Sequence, residues 1–176
     1  MRERVTALRL LEFMRALGTE VKTSARVYLV GGASAVLLGW RESTIDVDLK
    51  VVPDNDVLKS LPALKERLKI NVELASPGDF IPEVPGWRER SAFIQREGKL
   101  DFFHYDLYMQ TLAKIERGHA TDLDDVRQMI ERGLVEPKRL LEHFQLIEDQ
   151  LYKFPAVDPK AFRRSVETVV EDNVKS

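Results

Sequence analysis

Two aspartates set two residues apart in an apolar stretch are the first side chains here whose types and spacing indicate chemistry. Asp46 and Asp48 alternate with Ile45, Val47 and Leu49, which predicts a β-strand. Residues i and i+2 of a strand share a face roughly 6.6 Å apart, so we expect both carboxylates to point one way and the aliphatic side chains into a core. A divalent cation such as Mg²⁺ (or Mn²⁺) between them would relieve their repulsion. A solvated acidic edge strand carries the same pattern.

An adjacent pair of glycines lies upstream of the aspartates. Val27–Val30 predicts a buried strand and Ala33–Leu38 a short helix, with Gly31 and Gly32 at their junction. Glycine lets the backbone approach a ligand closely, and a helix N-terminus offers N–H groups to a phosphate. Ser34 adds a hydroxyl in the first turn. Alone, the glycines indicate only a tight turn, but beside the aspartates they predict a phosphate cradle for a nucleoside triphosphate next to a metal-binding acid pair.

A third acid lies on a neighbouring predicted strand. In the stretch INVEL, Glu73 shares a face with Asn71, opposite Val72 and Leu74, so it is polar where a site would need it. An exposed strand acid with no further role fits equally. Asp101, on another predicted strand, is the alternative third carboxylate.

Composition limits the classes of protein that these residues could serve. The chain has 176 residues, 27 basic and 29 acidic, and its formal net charge of −2 supplies no general basic field for nucleic acid. It contains no cysteine, which excludes disulfides, cysteine-based zinc sites and thiol catalysis and fits a reducing, cytoplasmic location. Arg9, Glu12 and Arg15 interrupt the apolar start, so we expect neither a signal peptide nor a membrane span.

Periodicity predicts a β-rich half followed by a helical half. The first half adds a helix over about 5–17 ended by Gly18, a helix from Asp54 or Asn55 to about 68, and a hairpin around Glu97–Lys99. The segment 76–87, with three prolines, predicts an ordered loop. Four helices then follow, at about 106–117, 121–132, 137–152 and 158–171, with Asp106 and Thr121 as N-caps of the first two.

These elements predict an α/β (α+β) fold: a mixed sheet with flanking helices and a helical C-terminal half. We expect a core domain over 1–105 and a helical region over 106–176. Because no flexible linker separates them, we expect the helices to pack on the core. Among the other side chains, we assign His104 to a hydrogen-bonded structural role and Trp87 to covering the core.

The motifs resemble a known superfamily. A hydrophobic-Gly-Gly pattern, about a dozen residues and Asp-x-Asp resembles the nucleotidyltransferases typified by polymerase β. The stretch LVGGASAVLLGWRESTIDVDL is similar to small bacterial nucleotidyltransferases of the DUF6036 type, related to the AbiEii toxins, in which Arg-x-x-Thr precedes the acid pair as Arg41 and Thr44 do here. INVELASPGDFIP and FFHYDLYMQTLAKIERGHATDLDDV also resemble this subgroup, so the resemblance covers most of the chain.

The resemblance implies roles for further residues. The superfamily's third carboxylate, a base or second metal ligand, would be Glu73, and Arg41 and Thr44 would bind substrate. Toxins of the AbiEii type carry a late lysine that holds the triphosphate and an aspartate that assists the incoming hydroxyl, and LAKIERGHATDLDDV is similar to this with Lys114 and Asp122. From the residues alone, Lys114 fits a solvated position and Asp122 fits an acid favoured by the helix dipole.

The function that the resemblance implies is Mg²⁺-dependent transfer of a nucleoside monophosphate from an NTP to a hydroxyl of RNA, such as tRNA, or of a protein. Asp46, Asp48 and Glu73 would hold the metal. The toxin relatives also imply a toxin–antitoxin component with a cognate partner protein. Two alternatives stay open: a catalytically silent module that binds a nucleotide or a partner, and a small-molecule transferase of the antibiotic-modifying kind.

Overall fold

The computed structural model describes residues 3–174, apart from the side chain of Asn55. Within these residues the strands are β1 (Val5–Thr6), β2 (Ala25–Val30), β3 (Ser43–Thr44), β4 (Asp46–Val52), β5 (Asn71–Leu74), β6 (Ala92–Glu97) and β7 (Leu100–His104). The α-helices are α1 (Ala7–Glu20), α2 (Gly32–Leu38), α3 (Asn55–Leu68), α4 (Trp87–Arg90), α5 (Leu107–Arg117), α6 (Ala120–Glu131), α7 (Pro137–Ile147) and α8 (Pro159–Val174). Two 3₁₀ helices lie at Pro77–Asp79 and Glu148–Lys153. The predicted mixed α/β class is confirmed.

The chain divides into two compact units. The first, the sheet unit, comprises the chain up to Ser76 together with Ser91–Tyr105. The second, the helical unit, comprises Pro77–Arg90 and the chain from Asp106 onward. The predicted domain limits, and the packing of the helices on the core, stay predictions.

Five strands of the sheet unit form a mixed sheet in the order β5-β4-β2-β7-β6, and β1 pairs with β3 in a separate antiparallel ladder. β2 runs antiparallel to β4 and parallel to β7, whereas β5 is parallel to β4. β6 and β7 form the predicted hairpin. The end of β2, where the glycines follow, therefore lies beside the beginning of β4, which carries the aspartates.

One face of this sheet is apolar and packs against α1 and α3. Val47 and Leu49 of β4 are fully buried there, as alternation along a strand requires. The same core includes Leu10, Phe13 and Leu17 of α1, Val57, Leu61 and Leu64 of α3, and Val27, Leu29 and Phe102 of the neighbouring strands. Ile45 was predicted to join the core, but it is 58% exposed because β4 begins only at Asp46. The alternate residues of β4 and β5 project from the opposite face.

The first helix differs from its prediction at both ends. Val5 and Thr6 form β1, and Thr6 caps the helix by accepting a hydrogen bond from the backbone N–H of Arg9. The helix then continues through Gly18. A Cβ on Gly18 would lie 2.5 Å from the carbonyl oxygen of Glu97, so this glycine permits the close approach of α1 to the hairpin and does not end the helix.

The helical unit follows the predicted order, with two corrected boundaries. Asp106 caps α5, as predicted, by accepting from the Tyr108 N–H at 3.2 Å. His119, not Thr121, is the N-cap of α6, and the Asp122 side chain accepts from its N–H. The third helix ends at Ile147, where a 3₁₀ helix replaces the α-helix. Histidine is an unusual cap, which explains why the sequence favoured threonine.

The proline-rich segment 76–87 is not purely a loop. It includes the 3₁₀ helix Pro77–Asp79 and leads into α4. Trp87 is 6% exposed, which confirms its assignment to the core. Arg90 of the same short helix donates to the buried carboxylate of Asp106 at 2.8 Å, so α4 is tied to the start of α5 inside the helical unit.

Candidate functional site

Three carboxylates lie on one face of the sheet, at the end where β2 stops. Asp46 and Asp48 alternate with buried Val47 on β4, and both are half-buried. The parallel pairing of β4 with β5 aligns Asp48 with Glu73. Side chains aligned on neighbouring strands share a face. The structure therefore brings the three predicted acids into one group, which we call the acid row.

Asn71 ties this row together. It is aligned with Asp46 across the strand pair. Its amide nitrogen lies 2.5 Å from Asp46 Oδ1 and 3.3 Å from Glu73 Oε1. A donor that bridges two carboxylates lowers their repulsion, because a partially positive N–H hydrogen faces an oxygen of each carboxylate.

The glycine turn lies against the acid row. Gly31 precedes α2 with φ +61°, a backbone conformation that favours glycine. A Cβ built on Gly31 would lie 3.6 Å from Asp48 Oδ2. The backbone of the turn and the Asp48 carboxylate are therefore neighbours, as the spacing of the two motifs predicted.

Gly32 brings the Arg-x-x-Thr pattern to the same place. A Cβ on Gly32 would overlap the Thr44 hydroxyl, lie 2.8 Å from Thr44 Cβ and lie 3.4 Å from an Arg41 guanidinium nitrogen. Thr44 is 8% exposed, and its hydroxyl donates to the backbone carbonyl of Asp46 at 3.1 Å. Arg41, Thr44 and the second glycine thus form one cluster beside the acid row, with a guanidinium as its positive charge.

The two-stranded ladder holds this cluster from the side of the N-terminus. Val5 pairs with Thr44, and Thr6 pairs with Ser43. The Arg4 guanidinium donates to the Ser43 hydroxyl at 2.7 Å. Since Val5 is fully buried, the first residues of the described chain anchor the loop that carries Arg41.

The donor atoms of the acid row fit Mg²⁺ or Mn²⁺ chemically, because both prefer carboxylate oxygens. Across residues 3–174, however, no three His, Cys, Asp or Glu side chains lie close enough to hold a metal ion as they stand. Asn71 donates to two of the three acids, so a cation binding there would compete with that amide. The row has suitable ligands, and closing them around a cation would require side-chain rotation.

Ser34 and His104 form a buried pair behind the turn. The Ser34 hydroxyl donates to the Leu29 carbonyl at 3.1 Å and lies 3.0 Å from His104 Nδ1. Because a hydroxyl has one proton, the His104 ring donates from Nδ1 in this arrangement. Burial lowers the pKa of His104 to about 4, so the ring is neutral near pH 7. This confirms the structural assignment of His104, and Ser34 could donate to a phosphate only by giving up its bond to Leu29.

Lys114 and Asp122 lie in the helical unit, in a buried ion cluster. The Lys114 ammonium lies 2.8 Å from Asp125 and 3.9 Å from Asp122. Asp122 also accepts from the Arg117 guanidinium and from the His119 N–H. Burial would raise the pKa of Asp122, but the hydrogen bonds and charge of Arg117, with Lys114 and His119, lower it overall. The predicted participation of Lys114 and Asp122 in triphosphate and hydroxyl chemistry stays a prediction.

Asp101, the alternative third acid, lies elsewhere on the sheet. It is aligned with Arg26 near the start of β2, whereas Asp48 is aligned with Val30 near its end. Four residues of strand separate the two levels by roughly 13 Å. Asp101 is also ion-paired with Arg96 at 2.8 Å, so it does not belong to the acid row, whereas Glu73 does.

Sequence reasoning gave no role to Asn71 or Lys50. Both signals were present in the alternation that identified the acids, because Asn71 is in phase with Glu73 and Lys50 is in phase with Asp48. The bridging hydrogen bonds of Asn71 depend on the strand register, which a single sequence does not supply.

Comparison with protein families gives one match. A family model described as a nucleotidyltransferase of unknown function (DUF6036) matches residues 6–153. The chain belongs to this family. The match to DUF6036 covers the glycine turn, the acid row and the buried ion cluster, and it confirms the resemblance to this nucleotidyltransferase family. Comparisons with curated proteins and with solved structures found no match.

Membership of DUF6036 supports a nucleotidyltransferase, with a nucleotide as the substrate class that the family description suggests. The family is described as being of unknown function, so the acceptor and the metal are not given by it. Throughout residues 3–174, no helix is both long and apolar enough to cross a membrane.

Proposed function

We propose that this protein transfers a nucleoside monophosphate from an NTP to a hydroxyl acceptor, with Mg²⁺ or Mn²⁺ as cofactor. The observation that carries the proposal is the acid row, in which Asp46, Asp48 and Glu73 share a face directly beside the glycine turn. A row of carboxylates repels a triphosphate unless a cation joins them, and a carboxylate–metal–phosphate arrangement is the usual solution.

The chain's own residues would position the triphosphate. The backbone at Gly31 and Gly32 has no side chains that block a phosphate, and Arg41 beside Gly32 brings a permanent positive charge. Thr44 fixes the loop, because its hydroxyl bonds to the Asp46 carbonyl. These groups would neutralise the charge of the leaving pyrophosphate, which needs no proton if cations hold it.

In the reaction, the acceptor oxygen forms a bond to the α-phosphorus as the bond from that phosphorus to the bridging oxygen of pyrophosphate breaks. The acceptor hydroxyl loses its proton, and Glu73, which is exposed on the edge strand beside Asp48, would accept it. Asp46, Asp48 and Glu73 would hold the cation, which would supply Lewis-acid stabilisation of the charge on the transferred group.

The acceptor class is inferred from resemblance. AbiEii-like relatives suggest an RNA hydroxyl, such as that of tRNA, or a protein hydroxyl, and a toxin–antitoxin role with a partner protein. One fold serves many acceptors, so both acceptor classes are offered to the protein in the labelling experiment.

A second candidate function is a catalytically silent module that binds a nucleotide or a partner protein. The Asn71 amide favours it, because bonds to Asp46 and Glu73 stabilise the acids without metal. In this case the glycine turn and Arg41 would still bind a nucleotide, but no transfer would follow and Asp48 would not be needed for nucleotide binding.

Transfer of label from α-labelled NTPs tests the proposal. Purified protein would be incubated with Mg²⁺ and each NTP, with total tRNA or with protein alone. We expect label in one acceptor class, reduced by about 100-fold or more in Asp48→Asn. The control Asp101→Asn removes an acid from the same sheet, far from the row, and should retain transfer. No label with any acceptor, together with unchanged NTP binding in Asp48→Asn, would favour the silent module.

A further inference from the structure

A lysine projects from the same strand face as the acid row. Lys50 follows Asp46 and Asp48 at the same alternation on β4 and is aligned with Tyr28 of β2. Its side chain is half-buried. Among the side chains of residues 3–174, no carboxylate forms an ion pair with its ammonium. This cation is therefore beside the acids but not neutralised by one of them.

Lys50 and the glycine turn lie on opposite sides of Asp48. The antiparallel register aligns Val30 with Asp48, so Gly31 and Gly32 continue toward the Asp46 end of β4. The contact of Gly32 with Thr44, which precedes Asp46, agrees with this direction. Lys50 lies two residues the other way, roughly 6.6 Å beyond Asp48 along the strand.

If the proposed function holds, and the inference drawn below rests on it, this arrangement determines the side from which the acceptor approaches. In phosphoryl-group transfer the attacking oxygen and the leaving oxygen lie roughly in line, on opposite sides of the phosphorus. If the pyrophosphate is held at Gly31 and Gly32 and the α-phosphorus lies near Asp48, the acceptor must approach from the side of Lys50.

We infer that Lys50 binds an anionic group of the acceptor, so that the acceptor is a hydroxyl compound carrying a phosphate or phosphodiester. Lysine presents a compact point charge suited to phosphate. The same charge would repel a polycationic acceptor such as an aminoglycoside, which argues against the antibiotic-modifying alternative. The end of a nucleic-acid strand and a small sugar phosphate share the required chemistry, because in both a single sugar carries a hydroxyl and a phosphate group.

Two variants and a matched control test this assignment. Lys50→Met removes the charge and keeps most of the side-chain length, and Lys50→Arg keeps the charge. Lys59→Met removes an exposed lysine of α3 in the same unit. The probes are a fluorescent oligoribonucleotide, ribose 5-phosphate and an aminoglycoside, each titrated without NTP. Label transfer, NTP binding and thermal midpoint are measured for every variant.

We expect Lys50→Met to bind the anionic probe about tenfold or more weakly, the loss typical of one charge-assisted contact. Lys50→Arg should largely restore binding, and Lys59→Met should match the parent. NTP binding and the thermal midpoint should not move. The oligoribonucleotide and ribose 5-phosphate arms identify which source of phosphate the protein takes.

Three results would overturn the assignment. Lys50→Met and the parent could bind the anionic probes equally well. The parent could bind neither anionic probe, or it could bind the aminoglycoside more tightly than both. A loss of NTP binding in Lys50→Met as large as the loss of acceptor binding would instead make Lys50 a neutraliser of the acid row. Lys50-dependent binding without label transfer would leave this inference standing while the proposed reaction fails. Label transfer that is equal in Lys50→Met and the parent would support the proposed reaction and overturn the inference about Lys50.

Discussion

Gly32 must be glycine because of its neighbour Thr44, since its own backbone lies in the ordinary helix α2. The side chain of Thr44 occupies the space in which a Cβ on Gly32 would lie. Thr44 cannot rotate away without cost, because it is 8% exposed and its hydroxyl bonds to Asp46. The tight fit couples the glycine turn to the loop that carries Arg41, so a single added methyl group should disturb both halves of the proposed triphosphate site.

Gly32→Ala is therefore expected to lower the free energy of unfolding by about 1–3 kcal/mol, the usual cost of overpacking, and to weaken NTP binding. Urea unfolding and NTP titration measure the two effects. Gly133→Ala is the control: a Cβ there meets no atom within 4 Å, so only backbone strain is added, far from the glycine turn in sequence. NTP binding by Gly32→Ala equal to that of the parent would show that the turn does not contact the nucleotide.

His104 should make stability depend on acid pH. Burial lowers its pKa in the folded state to about 4 from 6.5, so between these values the unfolded chain binds a proton that the folded chain does not. Stability from this group is therefore present above pH 6.5 and is lost as the pH falls toward 4, by about 3 kcal/mol in total.

Urea midpoints at pH 7, 5.5 and 4.5 for the parent and His104→Asn measure this contribution. Asparagine keeps an N–H donor for Ser34 but does not titrate, so the variant should show a smaller fall. His143, whose pKa is also lowered by burial and by Arg90, is present in both proteins and cancels in the comparison. Equal falls in the two proteins would contradict the shifted pKa.

The acids were predictable from sequence, whereas their hydrogen-bond partners were not. Asp46, Asp48 and Glu73 were identified by alternation on single strands, a property of local sequence. The contacts of Asn71 with two of them depend on how β4 and β5 are aligned. The buried pairing of Lys114 with Asp125 joins two helices, whereas from the residues alone Lys114 also fitted a solvated position.

At the scale of elements, the turn between α5 and α6 is held by charge. Asp122 is 1% exposed and lies within ion-pair distance of Arg117 and Lys114. It also accepts a hydrogen bond from the N–H of His119, the N-cap of α6. Its removal would leave a buried positive charge with fewer partners and would uncap α6. Asp124 is an aspartate of the same helix, but its side chain is 55% exposed and pairs with Arg127 on the surface.

Asp122→Ala should consequently lower the free energy of unfolding by about 3 kcal/mol, whereas Asp124→Ala should stay within about 0.5 kcal/mol of the parent. Chemical denaturation of both variants provides the comparison. Label transfer by refolded Asp122→Asn, which keeps the shape of the side chain, separates this structural role from the hydroxyl chemistry that the resemblance implies. Equal stability of the two alanine variants would refute the ion-cluster interpretation.

The elements that sequence placed well are those with strong local signals. β4 and the hairpin of β6 and β7 carry alternation or turn residues, and both were found close to their observed limits. The errors arose where a distant segment decides the local structure. Gly18 continues a helix because it must pass close to Glu97, and β1 exists because Val5 pairs with Thr44, a partner 39 residues away in the sequence.

At the scale of the whole molecule, the residues of the proposed site belong to one compact unit. The glycine turn, the Arg41 loop and the acid row all lie in the sheet unit, and the Lys114 cluster lies in the helical unit. Lys114 is already paired with Asp125 inside its own unit. Nucleotide binding should therefore act first on the sheet unit, and the role of Lys114 becomes a measurable question.

Hydrogen exchange, measured peptide by peptide with and without Mg²⁺ and a non-hydrolysable NTP, tests whether the nucleotide binds to the sheet unit. We expect slower exchange in 28–50 and 71–74, because a bound ligand stabilises the segments that contact it, and unchanged exchange in α5 and α6. Asp48→Asn should lose the Mg²⁺-dependent protection, and Asp101→Asn should retain it. Protection that extends to α5, with weaker NTP binding by Lys114→Met, would instead assign Lys114 the triphosphate role implied by the AbiEii resemblance. Absence of protection in 28–50 at saturating NTP would remove the glycine turn and the acid row from nucleotide binding altogether.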